Sequence, residues 1–330
     1  MSDEPTPNDR DRLRRIMRLA ADYLGLLGVL GVLVAFFSLT SEHFLTADRF
    51  STLANQIPTL AVIATGMTFV LIVAGIDLSV GSVMALCGAL LGVAMVDWGW
   101  SMPLGVGLCL ATGLGCGLVN GLITVRWAIP SFIVTLGMLE MARGGAYLVA
   151  ESKTKFIGLA IEPIAAPMAK VGLSPAFFLA ILVVLLGQFM LTRTQFGRYM
   201  IAVGANQQAA RLSGIDPRRI KLIVFAIAGL MAGLGGWFQT SQMATADPGA
   251  GVGWELSAIA AVVIGGTSLM GGRGSVINSF FGVLIIAVLE GGLVSIGAAD
   301  PTKRLVTGAV IIVAVIADTY RHRLANRRGN

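Results

Sequence analysis

Charged side chains are scarce in this sequence. Asp, Glu, Lys and Arg make up 13% of its 330 residues, whereas a typical soluble domain carries about 25%. Histidine occurs only at His43 and His322, which are too few and too far apart for a metal centre or for a Ser/His/Asp or Cys/His catalytic set. We therefore expect no catalytic residues, no metal site and no cofactor bound by this chain itself.

Hydrophobic residues are abundant instead, at 55% of the chain with a mean hydropathy of +0.81. Apolar runs of 17 to 23 residues recur, long enough to cross a hydrocarbon layer about 30 Å thick. The three cysteines, Cys87, Cys109 and Cys116, fall inside such runs, where we expect them to pack as small apolar side chains. The composition predicts an all-α, polytopic membrane protein that has the lipid bilayer as a partner. It offers no soluble surface to bind nucleic acid.

Ten apolar segments are predicted to be transmembrane helices. They form one predicted transmembrane domain, residues 19–318, between the tails 1–18 and 319–330. The predicted spans are Leu19–Leu39, Gln56–Ala74, Ser79–Val96, Pro103–Val125, Ser131–Val149, Pro175–Leu191, Leu222–Met243, Glu255–Met270, Ser275–Ile296 and Arg304–Asp318.

The distribution of Lys and Arg predicts the orientation of these spans. With both termini and the loop 193–221 in the cytoplasm, the inner segments hold 17 basic residues and the outer segments six, as the positive-inside rule requires. Spans two to five and seven to ten then enter the membrane in opposite senses. This arrangement predicts an inverted repeat of the kind found in transporters, although the two sets share no convincing sequence identity.

The fourth span is rich in glycine. Small residues let membrane helices approach closely, so we expect this span in the interior of the bundle. The glycines are Gly105, Gly107, Gly113, Gly115, Gly117 and Gly121.

The loop 193–221 contains the signals of a short capped helix. Asn206 is a candidate N-cap, and Gly214 is a candidate left-handed terminator that Pro217 follows closely. Ala209 and Ala210 give the helix little apolar area of its own to bury. The spacing is consistent with a helix that fits a groove on another protein, and equally with a solvated loop that contains one helical turn.

Polar residues in or beside the spans are the candidates for a path or a gate, because ionisable groups are costly there. Asp77 precedes the third span, where its carboxylate would cap free amides or take part in gating. Glu140 and Arg143 lie three residues apart in span five and would form an internal neutral pair or face a solute path. Weaker candidates for the same roles are Ser79, Asn120, Thr135, Asn278 and Glu290. The segment 271–275 lacks the Lys-Ser/Thr of a phosphate loop, so we expect no nucleotide site.

Four segments together resemble the membrane permease of ABC importers for monosaccharides, of the ribose/xylose/arabinose type. They are Gly75–Ser82, Pro130–Gly137 with Arg143 and Gly144, Gly197–Ile215 and Glu255–Gly274. The resemblance covers about residues 55–318. Branched-chain amino-acid permeases have a similar layout but lack the Gly-Ile-Asp-Leu-Ser-Val-Gly form.

The resemblance implies a non-catalytic permease subunit in the bacterial inner membrane, passing a pentose such as ribose or a related sugar. The implied partners are a second permease copy, a periplasmic sugar-binding protein, and a cytoplasmic ATP-binding cassette subunit that binds ATP and Mg. It also implies that Asn206–Ser213 is the helix that docks on the ATPase. The coupling residues it assigns are Gly204, Asn206, Ala209, Ala210, Arg211, Gly214 and Ile215.

Four departures from the family pattern leave the solute open. Asn278-Ser279 stands where Gly-Thr is usual, Glu290 where Asn is usual, and Ser131 where a proline is usual, while Glu140 has no counterpart in the pattern. Alternative functions are a branched-chain amino-acid or other small-solute ABC permease and an ion-coupled secondary transporter. A membrane scaffold without transport is a further alternative.

Overall fold

The computed structural model describes residues 7–41, 44–299, 301–303, 305–310, 312, 313 and 316. The described chain is mainly helical, with two short strands. The helices are α1 (Pro7–Thr40), α2 (Ala47–Ile72), α3 (Val80–Val96), α4 (Met102–Trp127), α5 (Ser131–Val149), α6 (Pro175–Arg193), α7 (Gln195–Ala205), α8 (Gln207–Leu212), α9 (Pro217–Met243), α10 (Trp254–Ile264) and α11 (Val276–Ser295).

The strands β1 (Lys155–Phe156) and β2 (Thr245–Ala246) form an antiparallel ribbon, with Lys155 opposite Ala246. The ribbon lies beside the last turns of α3, since a Cβ on Gly92 would overlap Ala246. We call this the ribbon end of the bundle. The opposite end carries α7 and α8, and we call it the α8 end.

Six described helices are long and apolar enough to cross a membrane: α2, α4, α5, α6, α9 and α11. Three shorter apolar helical stretches accompany them, Leu24–Thr40, Val80–Val96 and Trp254–Ile264. The predicted helical membrane class is confirmed, whereas the count of ten spans stays a prediction. Nine of the 15 residues of the tenth predicted span, Arg304–Asp318, are described, and these nine are helical. Residues 1–6 of the first predicted tail and the whole of the second, 319–330, lie outside the described residues.

Helix α2 forms the centre of the bundle. From Ile57 to Ile72 every residue is buried, as expected for a helix that is apolar on all sides. It packs against α6, α9, α10 and α11. Helix α1 is peripheral, because its described part contacts α11 through Phe37, whose ring covers Gly292.

Helices α4 and α9 meet backbone to backbone. A Cβ on Gly113 would overlap the carbonyl oxygen of Gly229, and a Cβ on Gly117 would overlap that of Phe225. Only this face of α4 is buried, so the prediction that the whole helix lies in the interior is wrong. The glycines on one side of α4 allow the close approach to α9. The other side of α4 is exposed, and a Cβ on Gly107 or Gly115 there would meet no atom within 4 Å. The exposed leucines on that side are Leu104, Leu114, Leu118 and Leu122.

The predicted eighth span, Glu255–Met270, is not one continuous helix. Helix α10 has 11 residues and is about 16 Å long, too short to cross the hydrocarbon layer alone. It ends at Gly265, and the following turn requires positive φ angles at Gly266, Gly271 and Gly272. Non-helical segments also precede α3, at 73–79, and α10, at 247–253. The same order of helix, interruption and helix therefore occurs in both halves, which favours the predicted inverted repeat.

Candidate functional site

The interruption 73–79 is held by hydroxyl groups of α5. The amide of Ile76 donates to Ser131 Oγ at 2.9 Å, and the amide of Leu78 donates to Thr135 Oγ1 at 3.1 Å. Buried backbone groups are costly when unpaired. The side chains of α5 thus replace the backbone bonds that a continuous helix would have made.

Asp77 lies within this interruption and is 2% exposed. Its Oδ1 accepts hydrogen bonds from the Ser79 amide at 2.8 Å and from Ser79 Oγ at 2.6 Å. The capping prediction is therefore wrong in its geometry, because the carboxylate closes a turn onto Ser79 and does not bind the first-turn amides of α3. Burial raises the pKa of the Asp77 carboxyl, and the two bonds from Ser79 oppose that rise.

Asn120 of α4 extends this chain of hydrogen bonds by donating from Nδ2 to Ser79 Oγ at 3.0 Å. Its own Oδ1 is buried and has no partner in the described part of the molecule. One helical turn further, Thr124 Oγ1 is also buried without a partner there. Such groups are rare in folded proteins and mark places where water enters or the arrangement changes.

Four of the predicted path residues thus come together at one place, which we call the Asp77 cluster: Asp77, Ser79, Asn120 and Thr135. The cluster joins α4 and α5 to the interruption before α3. Its hydrogen bonds fix the interruption at the point where α3 begins.

Arg143 of α5 holds the second interruption. Its Nη1 donates to the carbonyl oxygens of Pro248 at 2.8 Å and Ala250 at 2.6 Å. The predicted internal pair with Glu140 is therefore wrong, since Glu140 belongs to none of the ion pairs in the described chain. This non-helical segment leaves carbonyl groups that helix bonds do not satisfy, and the guanidinium group supplies donors for them.

The first turn of α3 and the second interruption meet at Gly81 and Gly251. A Cβ on either glycine would overlap the carbonyl oxygen of the other. Glu255, in the first turn of α10, accepts a bond from the Gly253 amide at 3.3 Å, and its Oε2 lies 2.5 Å from the position of a Cβ on Gly81. One carboxylate thus lies at the N-termini of both α3 and α10, where helix dipoles favour negative charge.

Glu140 lies on the opposite side of α5 from its buried residues. Those buried residues are Thr135, Met138, Ala142 and Ala146, and α5 packs with them against α3. Glu140 itself is exposed, at the middle of the helix. It is therefore separate from the Asp77 cluster.

The capped helix in the loop 193–221 is α8. Asn206 Oδ1 accepts bonds from the amides of Gln208 at 3.0 Å and Ala209 at 2.9 Å, so the predicted N-cap is confirmed. Gly214 has a φ of +83°, and the amide of Ile215 donates to the carbonyl of Ala210 at 3.0 Å. This is the left-handed termination that the sequence predicts.

The two alanines of α8 have different surroundings. Ala209 is exposed, as is the neighbouring Arg211, whereas Ala210 is buried at 5% exposure within this chain. Leu212 is 85% exposed. Ala210 therefore cannot contact another protein directly, and Leu212 is the large apolar side chain that α8 offers to one.

Gly204, at the end of α7, joins α8 to the core. A Cβ on Gly204 would overlap the carbonyl oxygen of Ile72 and lie 2.6 Å from the amide of Gly272. That amide donates to the same Ile72 oxygen at 2.8 Å. The end of α7, the end of α2 and the loop after α10 thus touch at one point, directly before the interruption that contains Asp77.

Two other predicted residues lie elsewhere. Asn278 is in the first turn of α11, where its amide donates to Ser275 Oγ at 3.3 Å. Glu290 is half-buried near the far end of α11, beside Gly291, which contacts Leu53. Neither belongs to the Asp77 cluster.

Two polar contacts were missed by the sequence reasoning. Gln188 of α6 caps α11, since its Oε1 accepts from the amides of Val276 at 2.9 Å and Ile277 at 3.3 Å. Thr68 of α2 donates to Ser279 Oγ at 2.9 Å, and both side chains are buried. A lone polar residue inside an apolar run was the available signal, but its partner is distant in sequence.

A cavity of about 220 Å³ opens between α3, α9 and the segment after β2. Its polar lining includes Thr154, Gln239, Thr240 and Asp247. Pockets for small ligands are usually about 300–1,000 Å³. This cavity is therefore small for a solute site, and it lies toward the ribbon end.

Comparison with known proteins gives one family. Residues 49–315 match the family described as branched-chain amino acid transport system / permease component. The ribose import permease protein RbsC of Escherichia coli K12 is 36% identical over 301 residues, which is 88% of this chain and 91% of that protein. RbsC of Bacillus subtilis 168 is 35% identical over 95% of this chain and 96% of its own length. The xylose transport system permease protein XylH of Escherichia coli K12 is 33% identical over 89% and 91%. No solved structure matches the chain significantly.

Proposed function

The chain belongs to the family of branched-chain amino acid transport system / permease components, and we propose that it is the membrane subunit of an ATP-binding cassette importer for a monosaccharide. The observation that carries the proposal is its similarity to ribose and xylose permeases over about nine tenths of each chain. The subunit performs no chemistry. ATP and Mg bind to a separate ATPase, which supplies the energy.

The α8 end faces the cytoplasm in this proposal, and α8 docks on the ATPase. Its support is the combination of an N-cap, an exposed face with Leu212, and the contact at Gly204 that joins α8 to the core. A movement of α8 reaches Ile72 through this contact and then the interruption 73–79. The coupling residues are Gly204, Asn206, Ala209, Arg211, Gly214 and Ile215, with Leu212 as the apolar anchor and Ala210 as an internal packing residue.

The ribbon end faces the periplasm and receives the sugar from a binding protein. Two copies of the chain enclose the path in the bacterial inner membrane. The Asp77 cluster acts as a gate near the cytoplasmic side, because its buried, partly unpaired groups adjoin the contact with α7.

The test is uptake by the reconstituted complex. The chain is combined in proteoliposomes with the ATPase and binding protein encoded beside it, and uptake of radiolabelled D-ribose, D-xylose and D-fructose is measured with and without ATP. We expect ATP-dependent uptake of at least one sugar that also requires the binding protein. Uptake of leucine in place of every sugar would assign the chain to amino-acid import, and uptake driven by an ion gradient without ATP would contradict the proposal.

A further inference from the structure

The exposed face of α5 carries a carboxylate at mid-helix. Glu140 is nine residues from each end of α5, which is about 13 Å at 1.5 Å per residue. Its neighbours on this face include Ile133 at 51% exposure and Leu136 at 50%. The position corresponds to the middle of a span.

A charged side chain at this depth cannot face lipid without a large cost. Glu140 is exposed and belongs to no ion pair in the described chain. The guanidinium group of Arg143, three residues away, is taken by the carbonyl oxygens of Pro248 and Ala250. No ion pair within the described protomer therefore neutralises the carboxylate, which favours water over lipid on this face of α5.

The surface on either side of Glu140 is open. Gly137 lies one turn toward the α8 end and Gly144 one turn toward the ribbon end, and a Cβ on either would meet no atom within 4 Å. Tyr147 follows on the same face at 41% exposure, with its hydroxyl oxygen 3.2 Å from the position of a Cβ on Gly249. The carboxylate thus projects between two gaps, with an aromatic ring toward the ribbon end.

We propose that Glu140 contacts the solute on the wall of a path that a second copy of the chain completes, where its carboxylate accepts hydrogen bonds from neighbouring hydroxyl groups of a sugar. This inference rests on the proposed function. An ionised carboxylate has two oxygens and about four lone-pair sites, enough for two hydroxyl donors at once. The same charge repels the carboxylate of an amino acid, so the contact favours a neutral polyol.

The second copy is the occupant that the geometry requires. One face of α5 forms only one side of a path, and a single exposed wall cannot hold water away from lipid. The open space at Gly137 and Gly144 leaves room for water and a solute between the α5 helices of the two copies. Two Glu140 carboxylates then face a hydrated space and are not buried against each other, which like charges would oppose.

Cysteine substitutions test the placement. In membranes that contain the complete complex, Gly137→Cys and Gly144→Cys are expected to cross-link between copies with a bifunctional thiol reagent long enough to cross the path, and not by direct disulfide formation. Glu140→Cys is expected to react with a charged, membrane-impermeant thiol reagent in inside-out or right-side-out vesicles. Leu185→Cys, on the exposed face of α6 at 54% exposure, is the control and should do neither. An inert Glu140→Cys together with no cross-linking at 137 and 144 would mean that this face meets lipid, which overturns the inference.

Uptake tests the chemistry. Loss of a hydrogen bond to a charged group predicts that Glu140→Gln lowers ATP-dependent uptake of D-ribose or D-xylose about tenfold or more. The effect should shrink for the deoxy analogue that lacks the contacting hydroxyl, a result that a structural role of Glu140 would not give. Glu151→Gln, in an exposed loop at the ribbon end, is the matched control and should transport like the parent.

The outcomes separate the inference from the proposed function. A parent complex that transports no sugar removes the proposed function itself. If the parent transports sugar and the uptake rate of Glu140→Gln is within twofold of the parent rate for every sugar and analogue, only the inference is overturned. Binding-protein-stimulated ATP hydrolysis should persist in Glu140→Gln, which shows that the variant is folded and assembled.

Discussion

The carbonyl oxygen of Ile72 lies against Gly204 so closely that a Cβ on the glycine would overlap it. The same oxygen accepts a hydrogen bond from the Gly272 amide at 2.8 Å. The ends of α2 and α7 and the loop after α10 are therefore joined without any side chain between them. Displacement of one of these segments has to move the others.

Gly204→Ala is expected to separate this junction. Forcing a methyl group into a packed site costs about 1–3 kcal/mol, so the variant should show a lower thermal midpoint in detergent and reduced sugar uptake. Gly115→Ala is the control, because a Cβ there meets no atom within 4 Å. If Gly204→Ala and Gly115→Ala had equal stability and equal uptake, close contact at this junction would not be needed for folding or transport.

Substitution at Asp77 separates the hydrogen bonds from the charge. Asp77→Asn keeps an oxygen that can accept from Ser79, whereas Asp77→Ala leaves the buried Ser79 amide unpaired, which costs about 1–3 kcal/mol. Alanine should therefore destabilise the protein more than asparagine. If the charge takes part in gating, Asp77→Asn should fail in uptake while it remains in the membrane at the normal level, and retained uptake would remove that role.

The pH dependence of stability provides a second test at Asp77. Because burial raises its pKa in the folded protein, the folded state binds this proton more tightly than the unfolded state. The contribution of the group to the free energy of unfolding is then largest at low pH and falls as pH rises through the folded pKa. The thermal midpoint of Asp77→Asn minus that of the parent should increase with pH over this range, and a constant or decreasing difference would contradict it.

Contact between α8 and the ATPase is tested by substitutions on its exposed side. Leu212→Ala removes the apolar anchor, and Ala209→Glu brings bulk and an unpaired charge into a desolvated contact, at a cost of about 2–5 kcal/mol. Both variants should insert normally but lose the ATPase in pull-down assays and lose uptake. Gln195→Glu places the same charge on exposed α7 and should retain the ATPase. Retention of the ATPase by Ala209→Glu and Leu212→Ala would mean that α8 is not the coupling element.

Membrane sidedness is tested by labelling in intact spheroplasts. If the α8 end is cytoplasmic, Gln208→Cys should resist an impermeant thiol reagent, because the exposed side chain lies behind the membrane. Lys153→Cys, exposed near the ribbon, should react. Labelling of position 208 from outside would reverse the proposed orientation and remove the coupling role with it.

Local signals in the sequence predict α8 well, whereas contacts between distant segments limit the rest. Asn206 and Gly214 act within a few residues of themselves, so capping rules suffice to predict their geometry. The predicted ion pair between Glu140 and Arg143 is wrong because helical spacing shows only which residues can meet. It does not show that two carbonyl groups more than a hundred residues away compete for the guanidinium group of Arg143. The helix length of α10 was overestimated because hydropathy does not distinguish a helix from an apolar, glycine-rich turn.

The backbone contact between α4 and α9 determines where this bundle can bend. At Gly113, Gly117 and Gly229 the two backbones touch with no side chain between them, so we expect the pair to move as one stiff unit. Flexing that opens one end and closes the other is then confined to the short, non-helical stretches beside this unit. The glycines of α4 are thus expected to constrain motion as much as packing.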